Sequence, residues 1–257
     1  MSAEQYLRKS MLEAWIACPK RYELMFVKKV KPKRTVALTV GTLFHEYARR
    51  FFDIIDYDKL LRLTDVKDKY LERKVVELFA ETLPAHPLLR PLCLNFIKFE
   101  AKLWVKLLYM FDDPIRYFVP IAREEHIISD ELGLESTIDR IDRLSDDSYV
   151  NIEYKTGYHW SIRDLRRELS FYNILANASK RFDKPVTHIA AYNPRLNRYF
   201  VEPVSQRLLQ ATRRRILQFK RSQELGIYER RKGRRCYYCL VLDKCLEEEQ
   251  REAAGEV

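Results

Sequence analysis

One short segment, Y-V-N-I-E-Y-K at residues 149–155, sets the strongest constraint on how this chain folds. Its apolar and polar residues alternate, which is the pattern of a β-strand whose successive side chains point to opposite faces. Val150, Ile152 and Tyr154 share one face, whereas Asn151, Glu153 and Lys155 share the other. The segment therefore predicts a sheet with one face packed on a core and an acid beside an amine on the other face.

The rest of the chain alternates between patterns typical of strands and patterns typical of helices, which predicts an α/β fold. The predicted strands are residues 117–128, 134–144, 149–155, 186–192 and 199–203, and the predicted helices among them and after them are residues 162–178 and 205–224.

Two helices are predicted near the start of the chain. Ser10 and Glu13 form a capping-box pattern, which predicts a helix that runs from Met11 toward the first cysteine. After Gly41, apolar residues recur at helical spacing and leave His45 on a neighbouring stripe. A lone histidine of this kind is more often structural than a ligand, so the pattern by itself leaves its role open.

The organisation of the chain is that of one domain with additions. Residues 56–118 have a mostly helical and charged pattern that prolines interrupt, which predicts a helical insertion. Residues 226–257 form a tail that carries three cysteines. Because no repeat or low-complexity linker divides residues 1–257, we expect a single domain.

Charge and hydropathy narrow the class of protein. The 257 residues include 47 Lys and Arg against 37 Asp and Glu, which gives a formal net charge of +10. This excess favours a polyanionic partner such as DNA, although a solvated basic surface has the same composition. No stretch is long and apolar enough to cross a bilayer, and the first ten residues lack the apolar core of a secretory signal. We therefore expect a cytoplasmic protein without a membrane partner.

The acid and the amine of the 149–155 strand could form part of a metal site. The preceding predicted strand contains Asp139 and Asp142, which point to opposite faces, so at most one of them can join Glu153. Neighbouring carboxylates repel each other unless a cation lies between them, and oxygen ligands suit Mg²⁺ or Mn²⁺. Lys155 could then orient a water and stabilise the charge on a phosphate. For an isolated E-x-K pattern, the alternative is an ordinary cross-strand ion pair.

The cysteines indicate a second site. C-Y-Y-C-L-V-L-D-K-C at residues 236–245 places three thiols at C-x2-C-x5-C spacing, and Cys18 is the candidate for a fourth. Four thiolates can hold either a 4Fe-4S cluster or tetrahedral zinc, and the spacing does not choose between them. Cys93 is left over and is expected to be buried as a small apolar side chain.

The order of these motifs resembles the RecB-like branch of the PD-(D/E)XK nucleases. The shared features are a helix with G-x-x-x-H, a strand ending in I-D-R-I-D, a strand reading E-Y-K-T-G and a helix with L-x-x-Y. The resemblance implies a restriction-endonuclease-like core, in which helices flank a central mixed sheet. The metal ligands that it implies are His45, Asp139, Glu153 and the backbone carbonyl of Tyr154, and it implies Asp139, Glu153 and Lys155 as the catalytic residues.

The chain departs from the family pattern after the lysine strand. Glu168 and Tyr172 stand where the family has Q-x-x-x-Y, so an amide that would meet DNA is an acid here. We expect Glu168 to reach the metal or to face solvent. Asp142 is assigned to a structural salt bridge with Arg140 or Arg143.

The cysteines extend the resemblance. Relatives with an iron-sulfur staple, among them the CRISPR-associated exonucleases, have one cysteine before the nuclease motifs and three after them. The resemblance therefore favours a 4Fe-4S cluster on Cys18, Cys236, Cys239 and Cys245, with Zn²⁺ as the alternative. Such a cluster would pack the tail of residues 226–257 against the N-terminal helix.

The function that the resemblance implies is a metal-dependent DNA exonuclease, acting 5′ to 3′ on single-stranded DNA. Its setting would be CRISPR spacer acquisition or DNA recombination and repair, with the CRISPR integrase or a helicase as a partner. The residues expected to contact DNA are the basic run Arg213, Arg214 and Arg215 together with Glu168 and Tyr172. The alternative is a catalytically weak DNA-binding or scaffold protein that holds a cysteine-ligated cluster or zinc.

Overall fold

A computed structural model of the chain describes residues 6–31, 36–64 and 68–255. Parts of the predicted insertion and of the predicted tail, residues 65–67 and 256–257, lie outside the described residues. The described α-helices are α1 (Lys9–Ala17), α2 (Pro19–Tyr22), α3 (Val36–Ile54), α4 (Tyr57–Arg62), α5 (Leu71–Ala80), α6 (Arg90–Met110), α7 (Ile115–Phe118), α8 (Ile162–Ala178), α9 (Gln206–Glu224) and α10 (Leu242–Ala253). The described strands are β1 (Ala122–Ser129), β2 (Leu134–Arg143), β3 (Tyr149–Tyr154), β4 (Val186–Asn193) and β5 (Arg198–Pro203).

The five strands form one mixed sheet in the order β1-β2-β3-β4-β5. β1, β2 and β3 are joined by antiparallel hairpin pairings, whereas β3 and β4 are parallel. A parallel pair needs a long crossover connection, and α8 supplies it. β5 returns antiparallel to β4 and forms one edge of the sheet.

Helices cover both faces of this sheet. On one face, α3, α5 and α6 pack aromatic residues such as Phe44 and Phe96 against Val150 and Ile152 of β3. On the other face, α1, α8 and α9 pack against Ile189 of β4 and its neighbours. The expected fold, a central mixed sheet flanked by helices, is confirmed. Within this fold, residues 56–118 contribute α4 to α7, whose side chains form a large part of the first core.

β3 lies in the middle of the sheet, and all six of its residues are buried. Val150, Ile152 and Tyr154 face the α3 and α6 layer, and Asn151 on the opposite side donates a hydrogen bond to the Leu169 carbonyl of α8. The alternation predicted from the sequence is therefore confirmed, with both faces covered. The end of β3 that carries Glu153 is the place where the two helical layers and the sheet meet.

The predicted capping box at Ser10 is wrong. The helix begins at Lys9, two residues before the predicted start at Met11, and its N-cap is Arg8 in an extended conformation without a side-chain cap. The reason is tertiary: Leu7 pairs with the sheet, donating from its N–H to the Gly133 carbonyl at 2.9 Å and accepting from the Glu135 N–H at 3.1 Å. The chain thus leaves the sheet at Arg8, and the helix starts immediately afterwards.

The predicted strand at residues 117–128 begins too early. β1 starts at Ala122, and residues 115–118 form the short helix α7. Phe118 is fully buried there and makes an edge contact with Trp104, with the ring centroids 5.2 Å apart. Burial of this ring against α6 overrides the strand-like local pattern. The helix that was predicted to begin near Gly41 begins earlier, at Val36.

No helix within the described ranges is both long enough and apolar enough to span a membrane.

Candidate active site

Three acidic residues lie abreast on three adjacent strands. The antiparallel register of β1 and β2 pairs Arg123 with Arg140, which places Glu124 beside Asp139. The register of β2 and β3 pairs Arg140 with Ile152, which places Asp139 beside Glu153. The sheet therefore carries a row of carboxylates at one level, and Asp142 is on the opposite face as the odd spacing predicted.

His45 of α3 closes one end of this row. Its Nδ1 lies 2.9 Å from Oε1 of Glu124 and 3.5 Å from Oδ1 of Asp139. Burial alone favours the neutral imidazole, but the two carboxylates outweigh it and raise the pKa of His45 to about 10. Among the described residues, these three side chains form the one acidic or imidazole group whose ligand atoms all lie within 4.8 Å of one another.

Glu124 has a backbone conformation that is rare for a strand residue. Its φ is +46°, in the left-handed region that glutamate seldom adopts. Such strain is retained only where the surrounding structure fixes it, and it is common at functional sites. Here the turned backbone coincides with the contact between the Glu124 side chain and His45.

At the other end of the row, Glu153 is held by two ammonium groups. Nζ of Lys155 lies 2.8 Å from Oε1 of Glu153, and Nζ of Lys9 lies 3.1 Å from the same oxygen. Both ammonium groups also contact Oε2 of Glu168, at 2.6 Å for Lys155 and 3.4 Å for Lys9. Glu168 is therefore partly buried and pairs with both lysines, and its expected contact with a metal stays a prediction.

The two ends of the row differ in charge balance. Burial raises the pKa of a carboxyl group, but the ammonium groups of Lys9 and Lys155 outweigh it and hold the pKa of Glu153 well below its ordinary value. At Asp139, burial and then the neighbouring charge of Glu153 together raise the pKa. The site thus keeps one acid ionised and leaves the other in need of a proton or a cation.

Tyr154 and Tyr172 support the row without lying in it. The backbone N–H of Tyr154 donates to Oδ2 of Asp139 at 2.7 Å, and its hydroxyl accepts from Nη1 of Arg140 at 3.2 Å. Tyr172 is buried, and Nζ of Lys9 lies 5.3 Å from the centre of its ring. Tyr172, which was predicted to bind DNA, is therefore covered by a lysine in this structure.

A buried ion network lies beneath the row on the other face of the sheet. Arg140 donates to Glu100 of α6 at 2.5 Å and to Asp142 at 2.6 Å, and all three side chains are buried. The predicted salt bridge of Asp142 with Arg140 is confirmed. Burial raises the pKa of Glu100 to about 7, although the Arg140 guanidinium, which Glu100 shares with Asp142, acts in the opposite direction.

The loop after Lys155 is fixed on two sides. Arg195 donates from Nε to the Thr156 carbonyl at 2.6 Å, and buried Asn193 donates to the Gly157 carbonyl at 2.8 Å. A Cβ on Gly41 would lie 3.0 Å from Oγ1 of Thr156, so a glycine allows α3 to approach this loop. The loop presents Tyr158 outward.

Tyr158 is 78% exposed, and the Arg195 guanidinium lies 5.0 Å from the centre of its ring. Arginine stacked on an exposed tyrosine makes a platform of the kind that holds an unpaired nucleobase. The platform follows Lys155 by three positions in the chain.

The four predicted thiols meet at the opposite end of α1. Cys18, Cys236, Cys239 and Cys245 line one small cavity. The N–H of Arg231 donates to Sγ of Cys18 at 3.3 Å. Burial raises the pKa of the Cys245 thiol, although the nearby Arg230 acts in the opposite direction. Cys93 lies elsewhere and is fully buried in the core, as expected.

Ion pairs join the tail to the N-terminal helices around this cavity. Lys20 of α2 contacts Glu248 of α10 at 2.7 Å, and Lys28 contacts the same residue at 2.9 Å. Arg230 pairs with Glu252. The three tail cysteines are thus held next to Cys18 by contacts that do not involve sulfur.

The three consecutive arginines of α9 do not form one surface. Arg213 lines a hollow with Asn177 and Lys180. Arg215 lies instead near Arg167, which pairs with Glu13 of α1 on the side of the molecule that carries Glu168. Since consecutive helical residues point about 100° apart, Arg213 and Arg215 point in clearly different directions.

The arrangement suits a hard divalent cation. Two observations carry this fit: an imidazole and two carboxylates converge within 4.8 Å, and Oε2 of Glu153 is buried without a hydrogen-bond partner in the described structure. Carboxylate oxygens with one imidazole are ligands that Mn²⁺ or Mg²⁺ accepts. Glu124 and Lys9 were not predicted from the sequence as members of this site. The hairpin register could have revealed Glu124, whereas no local signal points to Lys9.

Comparison with known proteins gives one family. A sequence profile of the PD-(D/E)XK nuclease superfamily matches residues 9–246. A search of curated proteins finds no match. Among solved structures, a "putative exonuclease" from Eubacterium rectale is similar with 11% sequence identity and a TM-score of 0.46, over 89% of this chain and 85% of that chain. The assignment rests on the sequence profile, because that structural likeness is too distant to add to it. The chain belongs to the PD-(D/E)XK nuclease superfamily.

Proposed function

We propose that this nuclease is a metal-dependent DNA exonuclease of the RecB-like branch, acting 5′ to 3′ on single-stranded DNA. The observation that carries the proposal is the convergence of His45, Asp139 and Glu153 with Lys155 at one end of the sheet. An isolated surface ion pair would not bring an imidazole from α3 to the same place. The alternative reading of the E-x-K pattern is therefore the weaker one.

His45, Asp139, Glu153 and the Tyr154 carbonyl would hold Mg²⁺ or Mn²⁺, and Glu124 would join them or fix the imidazole. When bound, such an ion lowers the pKa of a coordinated water and offsets phosphate charge. Asp139 is oriented by the Tyr154 N–H, and His45 is oriented by Glu124. Donors and acceptors that are fixed in advance are what such a reaction needs.

Lys155 would act on the phosphate. Its ammonium is held between Glu153 and Glu168, and its side chain is still 27% exposed. The neighbouring carboxylates outweigh the effect of burial and raise its pKa, so the amine stays charged. A charged amine at this place can donate a hydrogen bond to a phosphate oxygen and stabilise the negative charge that develops there.

Single-stranded DNA is proposed as the substrate because exposed aromatic rings accompany basic groups. Tyr158 with Arg195 lies on the loop after Lys155. Tyr237 and Tyr238 are 84% and 85% exposed beside the thiol cavity. Unpaired bases stack on such rings, whereas the bases of a duplex are not available to them. Of the predicted arginines, Arg215 is proposed to contribute, because it lies near Arg167 of α8.

The thiol cavity is proposed to hold a 4Fe-4S cluster. Its lining supplies four thiols, which match the four thiolate ligands of such a cluster. The same four thiols could hold tetrahedral zinc, and the cluster is preferred because relatives with an iron-sulfur staple share this order of cysteines. The cluster would anchor the end of α1 and the tail. Iron analysis and a broad absorption near about 400 nm in anaerobically purified protein test this assignment.

The biological setting is proposed by resemblance alone: CRISPR spacer acquisition or DNA recombination and repair, with an integrase or a helicase as a partner. A pull-down with a CRISPR integrase would test the first setting.

The activity is tested by a time course on 5′- and 3′-end-labelled single-stranded and duplex DNA with Mg²⁺, Mn²⁺ or a chelator. We expect metal-dependent release of short products from the 5′ end of single strands. Glu153→Gln and Lys155→Met should lower the rate by at least about a hundredfold, while the neighbouring loop variant His159→Gln should cleave normally. Cleavage that survives both substitutions would show that the proposed residues are wrong.

A further inference from the structure

Lys9 is a second amine in the site, and nothing in the nuclease motifs accounts for it. It is the first residue of α1, its side chain is 19% exposed, and it contacts both Glu153 and Glu168. The cost of burying its ammonium is offset by these two carboxylates, whose oxygens lie 3.1 Å and 3.4 Å from Nζ. The N-terminus of a helix also disfavours a cation, because the helix dipole is positive there. Its position is therefore determined by the acids of the site.

The charges of the site can be counted. Its four carboxylates belong to Glu124, Asp139, Glu153 and Glu168. The two resident ammonium groups of Lys9 and Lys155 leave a net charge of −2 when the carboxylates are ionised and His45 is neutral, the form that an imidazole takes when it ligates a metal ion. One divalent ion brings this balance to zero. A second would leave the buried site with a charge of +2, and the interior penalises uncompensated charge.

Lys9 also occupies the place that a second ion would need. The ammonium lies 3.1 Å from Glu153 and 3.4 Å from Glu168, between the two carboxylates that are farthest from His45. A divalent ion bound to the same oxygens would lie within a few ångströms of this positive charge and would be repelled by it. A lysine that merely tied α1 to the sheet would not need to stand at this point.

We propose that Lys9 is a resident cation that takes the place of a second divalent ion beside Glu153 and so limits this active site to one metal ion. The inference rests on the proposed function, because it presupposes a divalent ion at the His45 end of the row. In this proposal Lys9 limits the number of metal ions that the site binds, and it sets part of the positive charge that the substrate phosphate encounters.

The test is a titration of the cluster-loaded protein with Mn²⁺, followed by calorimetry and by electron paramagnetic resonance. We expect one Mn²⁺ per wild-type chain and two per Lys9→Met chain, with the first ion bound about tenfold or more tightly in the variant. Lys9→Arg keeps the charge and should bind one. Arg8→Met, at the adjacent exposed residue that pairs with Glu135, is the matched control and should bind one.

Three outcomes separate the possibilities. One Mn²⁺ with unchanged affinity in Lys9→Met, in a chain whose circular dichroism matches wild type, would overturn the role of Lys9 and leave the proposed function standing. If wild type binds no Mn²⁺, or binds Mn²⁺ with an affinity that Asp139→Asn does not change, the metal site itself is overturned, and the inference with it. If Lys9→Met does not fold, Lys9→Gln provides the same removal of charge with a polar side chain. A Lys9→Gln chain that binds a single Mn²⁺ as wild type does would also refute the inference.

Discussion

The carboxylate of Asp139 accepts a 2.7 Å hydrogen bond from the backbone N–H of Tyr154, so the acid of β2 is fixed to the strand that carries Glu153. The separation of the two acids is thereby set by main-chain geometry. This bond can be kept while the charge is removed, because an asparagine oxygen in the same place accepts from the same N–H.

We therefore expect Asp139→Asn to melt within a few degrees of wild type and to lose cleavage by at least about a hundredfold. Asp139→Ala removes the acceptor as well and leaves a buried N–H without a partner, which costs about 1–3 kcal/mol of stability. Thermal melts and end-label assays on both variants check the difference. Equal activity of wild type and Asp139→Asn would show that the charge of Asp139 is not used.

Glu124 is expected to contribute to metal binding through its contact with His45. Glu124→Gln should weaken Mn²⁺ binding by about tenfold or more, since a ligating histidine depends on its hydrogen-bond partner. Glu125→Gln is the matched control, because its side chain points away to Arg181 at 3.1 Å. Calorimetric titration of both variants measures the effect. Identical Mn²⁺ affinities would remove Glu124 from the site.

The Tyr158 and Arg195 platform should matter for single strands and not for duplexes. Tyr158→Ala removes one stacking surface and should weaken binding of single-stranded DNA by about tenfold. Tyr158→Phe keeps the ring and should bind as wild type does. Fluorescence anisotropy with Ca²⁺ in place of Mg²⁺ measures binding without turnover. A parallel loss of duplex binding in Tyr158→Ala would contradict stacking on an unpaired base.

The thiol cavity should control both metal content and stability. Cys239→Ser should lose iron and lower the melting temperature by about 5 °C or more, because the cluster would join the tail to α1. Cys93→Ala, in the core and away from the cavity, should retain iron. Elemental analysis beside thermal melts decides the matter. One zinc and no iron per wild-type chain would replace the cluster by the zinc alternative.

The buried pair of Glu100 and Arg140 predicts a pH dependence of stability. Burial raises the pKa of Glu100 from 4.5 to about 7 in the folded chain, so the folded state holds a proton that the unfolded state has released. Stability from this group is thus lost as the pH rises between these two values. Relative to Glu100→Gln, wild type should lose on the order of 1–3 kcal/mol from pH 5 to pH 8. Denaturant unfolding at both pH values measures this, with Glu72→Gln on the exposed side of α5 as the control.

Local patterns predicted the elements whose signals lie within the element itself. The helix at residues 162–178 has the predicted bounds, because Ser161 caps it by accepting from the Asp164 N–H at 3.3 Å. β3 follows its alternation because both of its faces meet packed layers. Glu153 and Lys155 were placed on one face by the same rule.

The remaining features depend on contacts between distant parts of the chain. Lys9 meets Glu153 across 144 positions, and the Leu7 pairing with the sheet decides where its helix begins. The left-handed turn at Glu124 is a property of a crowded site and not of the residues around it. The three arginines of α9 share a run in sequence but diverge around the helix, so a charge run is not by itself a surface.

The ion pair between Glu100 and Arg140 has a consequence for protein engineering. The sequence predicts residues 56–118 as an insertion into the domain. In the structure, Glu100 of α6 pairs with the buried guanidinium of Arg140, which also pairs with Asp142. Deleting this segment would expose the face of β3 that packs against Phe96. It would also remove one of the two carboxylates that pair with Arg140. A minimal version of this enzyme must therefore retain α6, and shortening is better attempted at the surface of α4 and α5.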